Sequence, residues 1–382
     1  MYINFWYPVG LSKEINGEEP FKVQILGLRF VAFRDSQGAP HVLSDTCIHR
    51  GGSLGNGWVK DDCVVCPYHG WQYGANGKCI KIPTLPEDQK PPARAKIDSY
   101  PTEEKYGIVF AFLGDLPESE RSSIYDIKEF DAEGWRANEV VTFTVNAFYE
   151  RSIENGLDAA HNEFVHPNQG SPSIGETLKR NPIEVDDHPP WGSEFLMAYS
   201  GYASIETRTL GSGVGSTRAG SGHHGPNTLI TKILFTEEKA FIQVFFEAPI
   251  DDNSTRIFFV NMRCFMLDPD QDDNLININM NIAHEDIRII ESLDPIRTPH
   301  CTTKELLLPQ DKPIVFYRRY LQQWEDNGWR VDKLRFRAES GDVAFAIPCP
   351  ERRESKNWIL DPIPLMPGPG LDQRTEKTPV SS

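Results

Sequence analysis

The chain has 382 residues, 39% hydrophobic and 25% charged, with a formal net charge of −16 at pH 7. That length can bury a sizeable core in roughly two domains, and the composition excludes a disordered or fibrous protein. The acidic balance disfavours nucleic acid as a partner, because phosphate binding needs concentrated Lys and Arg; no apolar run of eighteen residues is present to span a membrane.

The opening residues Met1–Pro8 lack a basic n-region and an apolar h-region, which argues against secretion. Seven cysteines, an odd number, suit metal ligation in a reducing compartment better than a disulfide framework, so a cytoplasmic location is expected. Residues 21–35 are rich in Phe, Val, Ile and Leu, and Asp35-Ser36-Gln37-Gly38 supplies turn chemistry. Further apolar runs at Val64-Val65 and Ile108–Leu113 predict a small all-β unit over residues 1–116. The segment 117–134 is polar and acidic and reads as a linker. A second unit, 135–348, starts with a strand at Val140–Val145 and passes into a helix. Residues 201–226 are rich in Gly, Ser and Thr and read as a loop, either a pocket lid or a solvated connector. The stretches 228–250 and 255–266 read as long antiparallel strands joined by a turn at Asp251–Ser254, and Ile282–Leu293 and Ile314–Trp324 carry helical spacing. From Pro348 onward seven prolines predict an extended tail over 349–382, loose at its tip. The fold class is α+β.

Two groups of metal-ligand residues stand out. In the first, Cys47-x-His49 is separated by sixteen residues from Cys66-x-x-His69-Gly70-Trp71. Two cysteines and two histidines suit a [2Fe–2S] centre in which imidazoles replace thiolates on one iron. Glycines 51, 52 and 70 permit tight turns around the sulfurs. The alternative is a structural zinc site: Cys63-x-x-Cys66 has zinc spacing, but Cys47-x-His49 is too close for that habit. Residues 41–100 carry seven Lys/Arg against six Asp/Glu, a neutral patch in an acidic chain that could receive an acidic electron donor or reflect chance.

The second group reads Glu154-Asn155-Gly156-Leu157-Asp158-Ala159-Ala160-His161, followed by His166. On a continuous helix Asn155, Asp158 and His161 would share one side. Two histidines with a carboxylate suit a mononuclear ferrous site with open positions for oxygen. Glu285, Asp286, Glu291 and Asp294 are candidates for the carboxylate; Asp286, on the core-facing side of its helix, is preferred, with Glu285 second. The pair His223-His224 reads as solvent-exposed, and Cys79, Cys264, Cys301 and Cys349 as small apolar residues. The glycines of Gly211-x-Gly213-x-Gly215 do not follow a strand and open a helix, so no dinucleotide motif is present.

Together these motifs resemble Rieske non-haem iron oxygenases, terminal oxygenase (α) subunits of the carbazole-oxygenase, demethylase and pheophorbide-oxygenase kind. The extra cysteines of respiratory Rieske proteins are missing after His49 and His69. The resemblance implies an all-β Rieske domain followed by a catalytic domain with an antiparallel sheet flanked by helices. It implies a [2Fe–2S] cluster on Cys47, His49, Cys66 and His69, and mononuclear Fe(II) on His161, His166 and Asp286. It also implies O2 as co-substrate, and NAD(P)H consumed indirectly through a separate reductase, directly or through a ferredoxin. In a homotrimer, Asp158 would bridge His69 of one subunit to His161 of the next, with Asn155 on a matching motif position. The substrate would be a small apolar, aromatic or polycyclic molecule that is hydroxylated or oxidatively demethylated. Ring cis-dihydroxylation, or a Rieske electron carrier without oxygenase activity, are the alternatives.

Overall fold

A computed structural model describes residues 1–166, 174–199, 217–299 and 304–369. The first unit is built from three small antiparallel sheets. One contains β1 (Phe5–Leu11), β10 (Thr102–Lys105) and β11 (Ile108–Leu113), ordered β1-β11-β10. A second is β2 (Phe21–Ile25), β3 (Leu28–Arg34), β4 (Pro40–Ser44) and β9 (Ser99–Tyr100). The third is a meander of four short strands, β5 (Trp58–Lys60), β6 (Cys63–Val65), β7 (Gln72–Gly74) and β8 (Cys79–Lys81). The Asp35 turn joins β3 to β4, its carboxylate accepting from the Gln37 and Ala39 amides.

The second unit is organised by a nine-stranded antiparallel sheet. Its strands are β12 (Arg136–Ala137), β13 (Val141–Val145), β14 (Asp186–His188), β15 (Gly192–Glu194), β16 (Met197–Tyr199), β17 (Thr217–His224), β18 (Thr228–Leu234), β19 (Ala240–Pro249) and β20 (Thr255–Arg263). The helices that matter for the site are α1 (Tyr149–Leu157), the one-turn α2 (Asn162–Val165), α3 (Ile174–Arg180), α4 (Asp272–Ile290) and α5 (Lys312–Asp326).

β19 and β20 are buried almost throughout on both faces, which is why they read as nearly continuous apolar runs rather than alternating ones. Ile242, Val244 and Phe246 of β19 belong to the core shared with the first unit, where Phe246 meets Phe110 edge-on at 5.0 Å. The opposite face, carrying Phe241, Gln243, Phe245 and Glu247, turns toward α1 and α4: Gln243 bonds Asn279 of α4 and Glu247 bonds Ser152 of α1. Asp272 in the first turn of α4 accepts from Arg136 of β12 and from the fully buried Arg263 of β20, which fixes the start of that helix over the sheet.

Several expectations change. The stretch 228–250 is two strands joined by a turn, not one. Within 201–226, residues 217–224 form β17, a central strand; 200–216 lie outside the described residues. Glycine is demanded there by close backbone approach: a Cβ on Gly220 would lie 1.9 Å from the Phe195 carbonyl oxygen, and one on Gly222 2.7 Å from that of Ser193. His223 is therefore buried, its ring edge-on to Tyr317 and Tyr320, and burial lowers its pKa to about 4.

The segment 117–134 is no loose connector, since Ile124 and Ile127 are buried and the Tyr106 hydroxyl donates to the Tyr125 carbonyl. The proline-rich end packs back as far as Gly368: Arg352 forms a bidentate pair with the fully buried Asp98, and Phe345–Ala346 pairs in parallel with Asp361–Pro362. The tip of that segment lies outside the described residues, as do Cys301 and the glycines at 211, 213 and 215.

Candidate metal centres

The first centre is made by two loops with the same local geometry. One follows β4, the other joins β6 to β7. In each, a cysteine carbonyl accepts from the glycine four residues on, Gly51 to Cys47 and Gly70 to Cys66, and both glycines have φ of +71°. A side chain would be strained at either position, so the repeated glycine is a requirement of the turn.

The loops present their donors in two layers. Cys47 and Cys66 are buried, whereas His49 and His69 are exposed. The two Nδ1 atoms lie 3.1 Å apart, with Trp71 stacked on His49 at 4.7 Å between centroids. Gly52 sits so close that a Cβ there would be 3.1 Å from Cys66 Sγ. The Tyr73 hydroxyl lies 3.2 Å from Cys47 Sγ. Burial pushes the Cys47 thiol up, so a thiolate there calls for a cation.

A single zinc ion would need all donors within about 4.6 Å of one another, twice a Zn–S bond. Among the described residues the set within 4.8 Å is a different one, so the four Cys/His donors suit a two-iron cluster better than one zinc ion. Cys63 Sγ instead donates to the Asp61 carbonyl. The tightening by Trp71 and Tyr73 carries no ligand signature in the sequence beyond their place next to the motif.

That compact set is His161, His166 and Asp286. The helix expected to carry Asn155, Asp158 and His161 on one side ends at Leu157: Asp158 is extended, with φ −86° and ψ 110°. The Asp158 side chain accepts from the Ala160 amide, which turns the chain. His161 and His166 then flank the single turn of α2. Five residues apart on a continuous helix they would point about 140° apart, at 100° per residue; the break lets both rings meet Asp286.

His161 Nε2 lies 3.4 Å and His166 Nε2 3.2 Å from Asp286 Oδ1. The same oxygen accepts from Asn155 Nδ2 at 3.0 Å, so Asn155 acts on the carboxylate from the last turn of α1. Each imidazole is held from behind through Nδ1: His161 by the Asp158 carbonyl at 2.5 Å, His166 by Glu285 Oε2 at 2.8 Å. Burial pushes the Asp286 carboxyl up, but hydrogen bonds from both imidazoles outweigh it and hold the group well below the usual carboxylate range. With Nδ1–H tied to those acceptors, Nε2 is the nitrogen that gives up its proton when a metal takes its place, so two neutral imidazoles and one carboxylate can hold a divalent metal with positions left open.

Glu285, the second choice for the carboxylate, sits behind His166 rather than among the converging atoms. Glu291 is occupied elsewhere, accepting from the Asn146 backbone and side chain. The adjacent pair Glu285-Asp286 was the available signal for a ligand and its support, and sequence reasoning read the two as rivals.

The description "Rieske [2Fe-2S] domain" fits residues 5–101, and "Vanillate O-demethylase oxygenase C-terminal domain" fits residues 201–327. The chain is 34% identical over 167 residues to the oxygenase component of a 3-ketosteroid-9-alpha-monooxygenase from Rhodococcus rhodochrous, covering 42% of each. It is 40% identical over 130 residues to the phenoxybenzoate dioxygenase subunit alpha of Ectopseudomonas oleovorans, covering 34% of this chain and 32% of that protein. The matched part thus spans about two fifths of the first relative's length. The structure of Pseudomonas putida CBB5 NdmA with caffeine superposes with a TM-score of 0.72 at 23% identity, over 85% of this chain and 91% of that one, a likeness of fold.

Proposed function

We propose that this chain, which joins a Rieske domain to an oxygenase C-terminal domain, is a Rieske non-haem iron oxygenase and the terminal oxygenase component of a multicomponent system. In this reading Cys47, His49, Cys66 and His69 hold a [2Fe–2S] cluster, and His161, His166 and Asp286 hold one Fe(II). Such groups, when bound, supply single electrons and activate O2 for attack on a substrate carbon. Electrons come from a separate reductase, directly or through a ferredoxin, so NAD(P)H is consumed by the partner. The substrate is a small apolar ring compound, hydroxylated or oxidatively demethylated; the relatives include monooxygenase and dioxygenase components, which keeps cis-dihydroxylation as the second reading.

The chain's own residues have three tasks around the second centre. Asp158, through its carbonyl, and Glu285 fix the imidazole rings. Asn155 holds the Asp286 carboxylate in place. The Asp158 carboxyl is half-buried and turned by the Ala160 amide, and it is assigned the bridge to His69 of the partner subunit in a ring of three. Exposed Phe164 on α2 and exposed Tyr68 beside His69 are apolar surface of the kind that an association would cover. No helix among the described residues is long and apolar enough to cross a membrane. Two of the cysteines are assigned to the cluster and the six described ones form no disulfide with one another, which supports a cytoplasmic location for this chain.

The observation that carries this reading is the convergence of two imidazoles and one carboxylate in a chain that also holds the paired Cys/His loops. A pure electron carrier has no use for it. Anaerobically purified protein should contain three irons per chain, two in the cluster and one mononuclear. It should show a Rieske EPR signal on reduction and consume O2 when a surrogate reductase and a ring compound are added. Protein with fewer than two irons after reconstitution and no such signal would end the proposal.

A further inference from the structure

Glu247 is a fully buried carboxyl that is not among the converging metal donors. It sits on β19, on the face turned toward α1 and α4, with the apolar Ile257 of β20 as its register partner. Its Oε1 meets the Ser152 hydroxyl of α1 at 2.7 Å, and Oε2 has no hydrogen-bond partner among the described residues. The charged and titratable groups on the helices packed against it are committed elsewhere: Glu154 of α1 to Arg318 of α5, Arg151 to Glu305, Glu150 to the Tyr149 hydroxyl, and the Tyr317 hydroxyl of α5 to the Pro226 carbonyl. Asp286 of α4 is tied to Asn155 and the two imidazoles. A carboxylate at 247 would be a buried charge with one neutral hydroxyl beside it, which costs more than keeping the proton. Glu247 is therefore a neutral acid at pH 7, and burial pushes it up to about 8.

Ser152 is where this sealed acid meets a more open space. In α1, Arg151, Ile153, Glu154 and Leu157 are buried, while Ser152, Asn155 and Gly156 are only partly so. Those three stand at i, i+3 and i+4 and form a single stripe. The stripe faces the sheet and α4: Ser152 meets Glu247, a Cβ on Gly156 would lie 2.2 Å from the Leu229 side chain of β18, and Asn155 donates to Asp286. Ser152 and Asn155 are about 4.5 Å apart along the helix, so the Ser152 hydroxyl lies between the acid and the metal centre. A neutral carboxyl and a hydroxyl can each donate to the other, which is what passing a proton along requires.

We infer that Glu247 and Ser152 form a proton-delivery line for oxygen reduction: the sealed carboxyl gives its proton to the Ser152 hydroxyl, whose own proton moves into the cleft beside the metal centre. This rests on the oxygenase reading above and deepens it. Hydroxylation of a C–H bond consumes O2, two electrons and two protons and yields the alcohol and one water; cis-dihydroxylation consumes the same electrons and protons. The electrons come from the reductase, and the line supplies one of the protons. The Glu247 O–H bond breaks and a new O–H forms on Ser152 as the original one breaks, which leaves a carboxylate that is costly where it stands. That cost draws a proton back from solvent along the more accessible stripe before the next cycle. An acid that loses its proton near the working pH is well matched to this task.

The test reads the stored proton first and its delivery second. Infrared difference spectra of the holoenzyme without reductase should show the C=O stretch of a neutral carboxylic acid that fades as pH rises through about 8 and is missing in Glu247→Gln. With a surrogate reductase and a ring compound, oxygen uptake per mononuclear iron should fall about a hundredfold in Glu247→Gln, as loss of a positioned acid costs. The Gln carbonyl can keep the Ser152 bond, so packing alone does not predict that loss. Native uptake should decline above about pH 8, because the neutral acid is the working form, and Glu247→Gln should lack that decline. Ser152→Ala should keep the infrared band yet slow uptake by a similar factor, and Ser152→Thr, which restores a hydroxyl, should recover most of it. The Rieske absorption reports folding of each variant; if Glu247→Gln loses it, the two Ser152 variants decide. Absence of a Glu247-dependent band, native uptake in Glu247→Gln or Ser152→Ala, or equal losses in Ser152→Ala and Ser152→Thr would overturn the line. Missing iron, or no uptake by the native chain with any ring compound, would instead sink the oxygenase reading, and the infrared band, read without turnover, stands apart from that result.

Discussion

Removing the Glu285 carboxylate should loosen the metal centre although Glu285 is not one of the converging donors. The His166 ring is buried, and its Nδ1–H points at Glu285 Oε2 at 2.8 Å. In Glu285→Ala that N–H loses its acceptor inside the protein, and nothing then holds Nε2 toward Asp286. Losing an outer hydrogen bond of this kind costs about 10–100-fold in metal affinity, or about 1.4–2.8 kcal/mol. Glu285→Gln keeps an oxygen acceptor without the charge and should lose less, at most about tenfold. The assay is a ferrous-ion titration against a chromophoric chelator, on protein depleted of mononuclear iron but retaining its Rieske cluster. The cluster's visible absorption reports folding in the same sample. Asp286→Ala serves as the reference for loss of a donor. If Glu285→Ala binds Fe(II) as tightly as the native chain while Asp286→Ala does not, the role given to this hydrogen bond is wrong.

Asp158→Asn should leave both iron centres loaded but abolish most coupled oxygen uptake; turnover at the native rate would remove the bridge assigned to Asp158. Arg352→Ala strips the bidentate partner from Asp98, which is fully buried, and breaking such a pair costs about 3–5 kcal/mol. A urea midpoint equal to the native one would show that the C-terminal segment adds nothing to the first unit's stability. Burial pushes the Glu247 carboxyl up to about 8, only partly offset by the Ser152 hydrogen bond. The folded state thus keeps a proton that the unfolded chain gives up from about pH 4.3, and stability falls as pH rises between that value and about 8, by a few kcal/mol at most. Glu247→Gln should flatten that slope and be more stable than the native chain at pH 8.5, with the gap closing near pH 5; parallel stability–pH curves would refute this.

The donors were legible because metal chemistry restricts residue type and spacing: Cys47, His49, Cys66, His69, His161 and His166 could be singled out before any geometry. What brings the second set together was not. A five-residue spacing between His161 and His166 is itself a sign that no continuous helix carries both, yet the Asn155-Asp158-His161 spacing suggested one. Asp158 stops the helix through its own extended backbone and the Ala160 amide, a local choice that periodicity does not report. The β17 strand was hidden for a related reason. Its glycines are there to admit neighbouring backbone, so the composition of a loop and of a tightly packed strand coincide. Likewise the prolines after 348 preclude regular structure but not packing, and the Asp98–Arg352 contact spans a separation no sequence window covers.

The most telling residues in the second unit are the polar ones in β19. In Ala240–Pro249 the polar residues are Gln243 and Glu247, four positions apart and so on one face of a strand buried on both sides. In a half-exposed strand they would simply face water. Here each must find a partner inside: Glu247 takes the Ser152 hydroxyl of α1, and Gln243 takes Asn279 of α4. Those two contacts fasten to the same strand the helices that supply Asn155 and Asp286, so the strand sets the spacing across which Asn155 reaches the Asp286 carboxylate. A buried polar pair in a doubly covered strand is thus a sharper pointer to the working face of the sheet than the histidines alone. It also explains why substitutions at 243 or 247 should disturb the metal centre without touching it.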